Sequence, residues 1–160
     1  MQSLKELFEK EFKNLYALEK QIHDTMITLE PSESKKLKKR VKKFLKYNTS
    51  DFLTVQEIAQ NLSINPGNTI DSVAQEILKN ISEIAHLNLV VNEKNAGLIP
   101  SLNRLLAYKT INYYNVRRMA KALKMKKESK TLKKIKSKNQ AIARKFKSLT
   151  SKKIFEKAQI

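Results

Sequence analysis

Phe8-Glu9-Lys10-Glu11-Phe12-Lys13-Asn14-Leu15-Tyr16-Ala17-Leu18-Glu19-Lys20-Gln21-Ile22-His23-Asp24-Thr25-Met26 is the stretch that decides the fold. Phe8, Phe12, Leu15, Ile22 and Met26 recur in steps of three and four, closed by one polar residue, Glu19. That spacing is the apolar stripe of a helix, so Glu19 points at the core. The same pattern places Asn48 and Asp51 between Val41/Phe44 and Val55/Ile58. It places Lys109 between Leu102/Leu105 and Val116/Met119, and Asn139 between Leu132/Ile135 and Ile142/Phe146. Four long amphipathic segments with mid-stripe polar residues predict an all-α four-helix bundle with a polar centre. Carboxylate metal sites are built in such centres, but Glu, Asn/Asp, Lys and Asn are poor metal ligands.

The rest of the chain divides at its breakers. Ser3-Leu4-Lys5-Glu6 is a capping-box pattern, so residues 3 to 29 form the first helix. Leu4, Leu15, Leu18 and Ile22 give it a second apolar seam, and an arc that wide contacts more than one neighbour. Glu30-Pro31-Ser32 ends it, with Ser32 or Ser34 suited to cap the next helix. That second helix runs to about Leu62, with Leu37, Val41, Phe44 and Leu45 inward. Asn65-Pro66-Gly67-Asn68 is a turn. A shorter helix over residues 69 to 89 carries the stripe Ile70, Val73, Ile77, Ile81 and Ile84, capped by Asn68 or Thr69. Then come a loop at Asn92 to Gly97 and a helix over about 96 to 125 with Pro100 in its first turn. A polar break at Lys126 to Ser129, a last helix over about 130 to 149 and a basic tail with Ile154 and Phe155 end the chain.

Composition narrows the function classes. A chain of 160 residues is expected to form one domain, residues 1 to 160, with a real core. Only 2 Gly and 3 Pro favour helix. The absence of Cys excludes disulfides, thiol catalysis and zinc–thiolate sites. No apolar run approaches a membrane span and no secretory signal is visible, so a cytoplasmic location without membrane association is expected. The net charge of +18 attracts polyanions, although lysines that merely solvate helix faces explain it too. The charge gathers at residues 35 to 46 and 117 to 153. Lys38, Lys39, Arg40, Lys42, Lys43, Arg117, Arg118, Lys121, Lys133 and Lys134 are the candidate polyanion-binding residues.

Leu15-Tyr16-Ala17-Leu18-Glu19-Lys20-Gln21 resembles the Leu/Thr-Tyr-Ser-Ala-Glu-Lys-Gln signature of the YciF/YciE-type ferritin-like proteins. Asn95-Ala96-Gly97-Leu98-Ile99 resembles the start of their third bundle helix, Asp-Ala-Gly/Ala-Leu-Ile. The resemblance implies a rubrerythrin-like bundle of two helical hairpins with a short extra helix in the crossover, a stress association and a carboxylate/histidine metal centre. Departures sit at the ligands. Where the family tends to read His-Leu-Glu-Glu-Thr, this chain reads Phe44-Leu45-Lys46-Tyr47-Asn48. Leu106-Ala107-Tyr108-Lys109-Thr110 stands for Glu-His-Tyr-Glu-Ile. Ser137-Lys138-Asn139-Gln140-Ala141-Ile142-Ala143 stands for Glu-Glu-Glu-Lys-Ala-Thr-Asp. Glu19 alone survives of the ligand carboxylates that the resemblance implies.

The expected centre is therefore an ion-pair cluster of Glu19, Asn48, Asp51, Lys109 and Asn139. Lys109 takes the place of metal, within salt-bridge distance of Glu19 directly or through one water. Neither a cofactor nor a bound metal is expected. Glu19 with His23, four residues on, and Asp51 can hold a single metal, but a rim histidine is the better reading of His23, because no partner with ligand spacing lies nearby in the sequence. His86 reads as structural. Tyr108, Tyr113 and Tyr114 beside Arg117 and Arg118 offer either a base-stacking surface or core aromatics. No nucleophile elbow or phosphate loop is present, so catalysis is not expected. A non-enzymatic, self-associating bundle, a dimer above all, with a structural or stress-associated role is the first reading. A nucleic-acid or other polyanion-binding module and a residual iron-handling protein are the alternatives.

Overall fold

The computed structural model describes residues 3–29 and 35–159, with the backbone alone at 151–153. The Glu30-Pro31-Ser32 break and its caps lie outside the described residues. Helix α1 is Leu4–Met26, α2 Lys35–Asn61, α3 Ser72–His86, α4 Val91–Ala122 and α5 Lys126–Lys147. A π-turn, Thr150–Phe155, and a 3-10 turn, Glu156–Ala158, follow. No strand occurs among the described residues. Helix α1 packs on α2 and α4 on α5, making two hairpins; contacts α1–α4 and α2–α5 close a four-helix bundle. The short α3 lies in the crossover against α1 and α4.

Local chemistry sets the helix ends. Ser3 and Glu6 form the reciprocal capping box that starts α1. Leu4 is exposed, so the second seam of α1 begins only at Leu15. Helices α2 and α4 end alike: Ile64 N–H reaches the Ala59 carbonyl, and Met125 N–H reaches that of Ala120, both at 2.9 Å. Such an ending needs a left-handed residue, supplied by Ser63 (φ 53°) and Lys124 (φ 60°). Glycine is usual there, so the α4–α5 turn carries no glycine signal. That is why the polar break read at Lys126 to Ser129 is wrong: α5 starts at Lys126 and the break is Leu123 to Met125, centred on the left-handed Lys124.

Three further expectations are corrected. Helix α3 is capped by Asp71, not by Asn68 or Thr69. Its carboxylate accepts from the amides of Val73 (3.1 Å) and Ala74 (3.0 Å). The same carboxylate accepts from the Tyr108 hydroxyl at 2.7 and 2.8 Å, and Gln21 bonds the Asp71 backbone in both directions. This latch fixes the helix phase so that Ala74, Leu78 and Ile81 are buried, while Ile70 and Val73 stay exposed. Burial first, then the Asp71 carboxylate, pushes the Tyr108 phenol up to about 12.

Helix α4 starts at Val91, so Asn92 to Gly97 is helix rather than loop, and Pro100 lies inside it. Packing overrides weak propensity here. A Cβ on Gly97 would sit 3.1 Å from Cγ2 of Ile84, so the glycine serves the close approach of α3. Finally, the chain end is not a free basic tail. Ile154 is buried and the turns pack on α4.

Candidate functional site

The core stripe of each of the four bundle helices is interrupted at the same level. Glu19 comes from α1, Asn48 and Asp51 from α2, Lys109 from α4 and Asn139 from α5, and all five are buried. The structure brings them into one cluster. Lys109 Nζ lies 2.9 Å from Glu19 Oε1 and 3.0 Å from Asp51 Oδ2. The Asp51 contact is a hydrogen bond, whereas Glu19 Oε1 makes a charge contact outside hydrogen-bond alignment. Asn48 Nδ2 donates to Glu19 Oε2 at 2.9 Å and to the Glu19 carbonyl at 3.1 Å. Asn139 Nδ2 donates to Asp51 Oδ2 and to the Ile135 carbonyl, both at 2.9 Å. Each amide thus turns its donor to a carboxylate. The amide oxygens of Asn48 and Asn139 are buried without a hydrogen-bond partner among the described residues.

One member was absent from the sequence reading. Lys138 Nζ lies 2.6 Å from Asp51 Oδ1 and 4.6 Å from the Tyr47 ring centroid, with its side chain 31% exposed. Its stem reaches inward from the rim. A charge count contained the signal: Glu19 and Asp51 against Lys109 leave one negative charge over. Two carboxylates and two ammoniums make the cluster neutral. The Phe44 and Tyr113 ring centroids lie 5.5 and 6.0 Å from Lys109 Nζ, adding cation–π contact. Burial, opposed by the Lys109 charge and reinforced by Asp51, holds the Glu19 carboxyl above its ordinary range. Burial and then the Glu19 charge push the Tyr113 phenol well up.

A family model described as "Domain of unknown function (DUF892)" matches residues 3–159. The chain belongs to the DUF892 family. Among solved structures it is similar to the E. coli stress protein YciF, at 16% identity and a TM-score of 0.87. The match covers 94% of this chain and 96% of that one. No curated protein matches. The likeness carries the fold, a ferritin-like bundle of two helical hairpins with a short crossover helix.

Does the centre of this DUF892 chain suit the carboxylate metal site that its fold suggests? Two cations need several anionic oxygens to offset their charge. Here two carboxylates are already matched by an ammonium between them and a second at the rim. No group of three or more His, Asp or Glu side chains able to hold a metal occurs among the described residues. His23 stacks near Phe52, ring centroids 6.4 Å apart, and His86 Nδ1 lies 2.7 Å from the Ser82 carbonyl of its own helix. The donor set does not fit a two-cation centre.

Outside the centre, the ten basic candidates separate. Lys43 and Arg40, then Lys39, stand close enough to Lys145 of α5 to lower its pKa. Arg117, Lys121 and Lys133 line a cleft at the α4–α5 turn. Lys38 and Lys42 edge an apolar cavity of about 180 Å³, and Arg118 and Lys134 line neither site. The three tyrosines do not make a stacking face. Tyr113 is core, Tyr108 is tied to Asp71, and Tyr114 lies 5.7 Å under Lys136 Nζ. The i,i+5 and i,i+6 steps from Tyr108 place those rings on different sides of α4.

Proposed function

We propose that the chain is a non-enzymatic bundle of the YciF type in which an ion-pair network stands in the place of a di-metal centre. Its role is structural or stress-associated, and it acts as a homodimer. The single observation that carries this reading is the Lys109 ammonium, 2.9 and 3.0 Å from the two buried carboxylates, where a cation would have to sit. The stress role rests on the fold shared with the E. coli stress protein YciF. Ile111 and Tyr114, exposed along a groove between α4 and α5, support self-association.

Elemental analysis tests the centre. Protein expressed with added iron and manganese is expected to carry neither in stoichiometric amount. About two metals per chain, the loading of a full di-metal site, would overturn the proposal. Sedimentation of the same sample is expected to give a dimer, and a monomer at every concentration would remove that part.

Polyanion binding is a second reading, favoured by the clustering of cations at the α4–α5 turn. It predicts association with heparin at low ionic strength that weakens steeply with salt. No association there would end it. No helix among the described residues is long and apolar enough to cross a membrane.

A further inference from the structure

We infer that the cleft at the α4–α5 turn is a site for a short run of phosphates, an inorganic oligophosphate rather than a nucleotide or a nucleic-acid strand. The inference rests on the polyanion reading and narrows it to one place and one ligand chemistry.

The cleft has a volume of about 270 Å³ and is lined by Arg117, Lys121, Lys124, Lys126, Lys130 and Lys133, with Ser129. Arg117 and Lys121 stand one turn apart on α4, as do Lys126, Lys130 and Lys133 on α5, while Lys124 occupies the turn between them. Like charges at that spacing repel and weaken a helix. None of these six has an ion-pair partner among the described residues. Glu128, the acid in the first turn of α5, does not line the cleft. Arg117 Nε is buried with no acceptor. Helix α5 starts without a side-chain cap, so its first amides add positive potential. A dense, uncompensated positive cleft gains most from a ligand of equally dense negative charge.

The lining also says what the ligand lacks. No aromatic ring borders the cleft, and Ser129 is the one uncharged residue in its lining. A nucleobase would find neither stacking nor a pattern of donors and acceptors there. The volume falls just below the roughly 300–1,000 Å³ of drug-sized ligand sites. A nucleic-acid strand spaces its charges over a longer path than this one turn. An oligophosphate chain concentrates several charges within it and suits the multiple ammonium donors and one guanidinium.

Calorimetric titration of the full chain with tripolyphosphate, at low ionic strength, tests the site. One tripolyphosphate per protomer is expected, with single phosphate and ATP weaker. Two cleft variants, Lys121→Gln/Lys133→Gln and Lys124→Gly, are compared with the distant control Lys39→Gln/Lys43→Gln. Lys124→Gly relieves the left-handed lysine at φ 60°, so it is expected to melt no lower than the wild type. The cleft variants should weaken tripolyphosphate by about tenfold or more, and the control should not. Equal loss in cleft and control variants would show diffuse attraction: the cleft inference falls while the polyanion reading stands. Binding of ATP at least as tight as tripolyphosphate, or of duplex DNA through the cleft without tripolyphosphate binding, would also overturn it. Failure of tripolyphosphate, heparin and DNA alike would end both.

Discussion

Lys109→Met is expected to lower the unfolding free energy by about 3–5 kcal/mol, the usual cost of stranding a buried charge. Methionine fills nearly the same volume, so the loss is electrostatic rather than a cavity. Without the ammonium, Glu19 keeps the Asn48 amide and loses the only cation within ion-pair distance among the described residues. Lys109→Met with Glu19→Gln should regain part of the loss, because an amide is cheaper to bury than a carboxylate. A double-mutant cycle from urea unfolding measures the coupling, and additive effects would defeat the model.

The deficit also has a pH signature. Glu19 already stands above its ordinary range through burial, and removing Lys109 pushes it further up. A carboxyl raised in the folded state contributes stability that is present below its unfolded value and lost as pH rises through the folded one. The Lys109→Met deficit is thus smallest in acid, where the Glu19 carboxyl is protonated in both the folded and the unfolded state, and grows as pH rises through the raised folded-state values. A deficit that is flat with pH would assign the loss to packing.

Asp51→Ala is the second large effect, also about 3–5 kcal/mol, because one carboxylate serves three donors. Its Oδ2 accepts from Lys109 and Asn139, and its Oδ1 from Lys138. Lys138→Met touches the same carboxylate from the rim and is expected to cost no more than about 1 kcal/mol, since water can take over. Chemical unfolding of both variants compares a buried contact with a rim contact on one acceptor. Equal losses would mean that burial does not set the energetics here.

The bundle and its centre were legible because Glu19, Asp51, Lys109 and Asn139 interrupt otherwise apolar stripes, and burial leaves such residues only one another as partners. Lys138 was not legible. It lies one residue, and so about a quarter turn, off the stripe, and reaches the centre only through its length. Helix α3 was only partly phased for a related reason: Ile81 is buried and Ile77 packs on the core, but Ile70 and Val73 are exposed. Five β-branched residues outlined a stripe, but a remote latch from Tyr108 and Gln21 to Asp71 sets the rotation. The α4–α5 turn was misplaced because lysine, not glycine, takes its left-handed position.

The polar level also settles how the hairpins can mesh. Leucine and isoleucine layers tolerate sliding, since one apolar contact resembles the next. Slipping any helix by one turn, about 5.4 Å, would set Asp51 against Ile135 or Ile142 and Lys109 beside Leu15 or Ile22. Each slipped arrangement strands a charge in hydrocarbon, while the native one strands none. The cluster is an alignment key: it adds little to the depth of the native well and raises every neighbouring register above it.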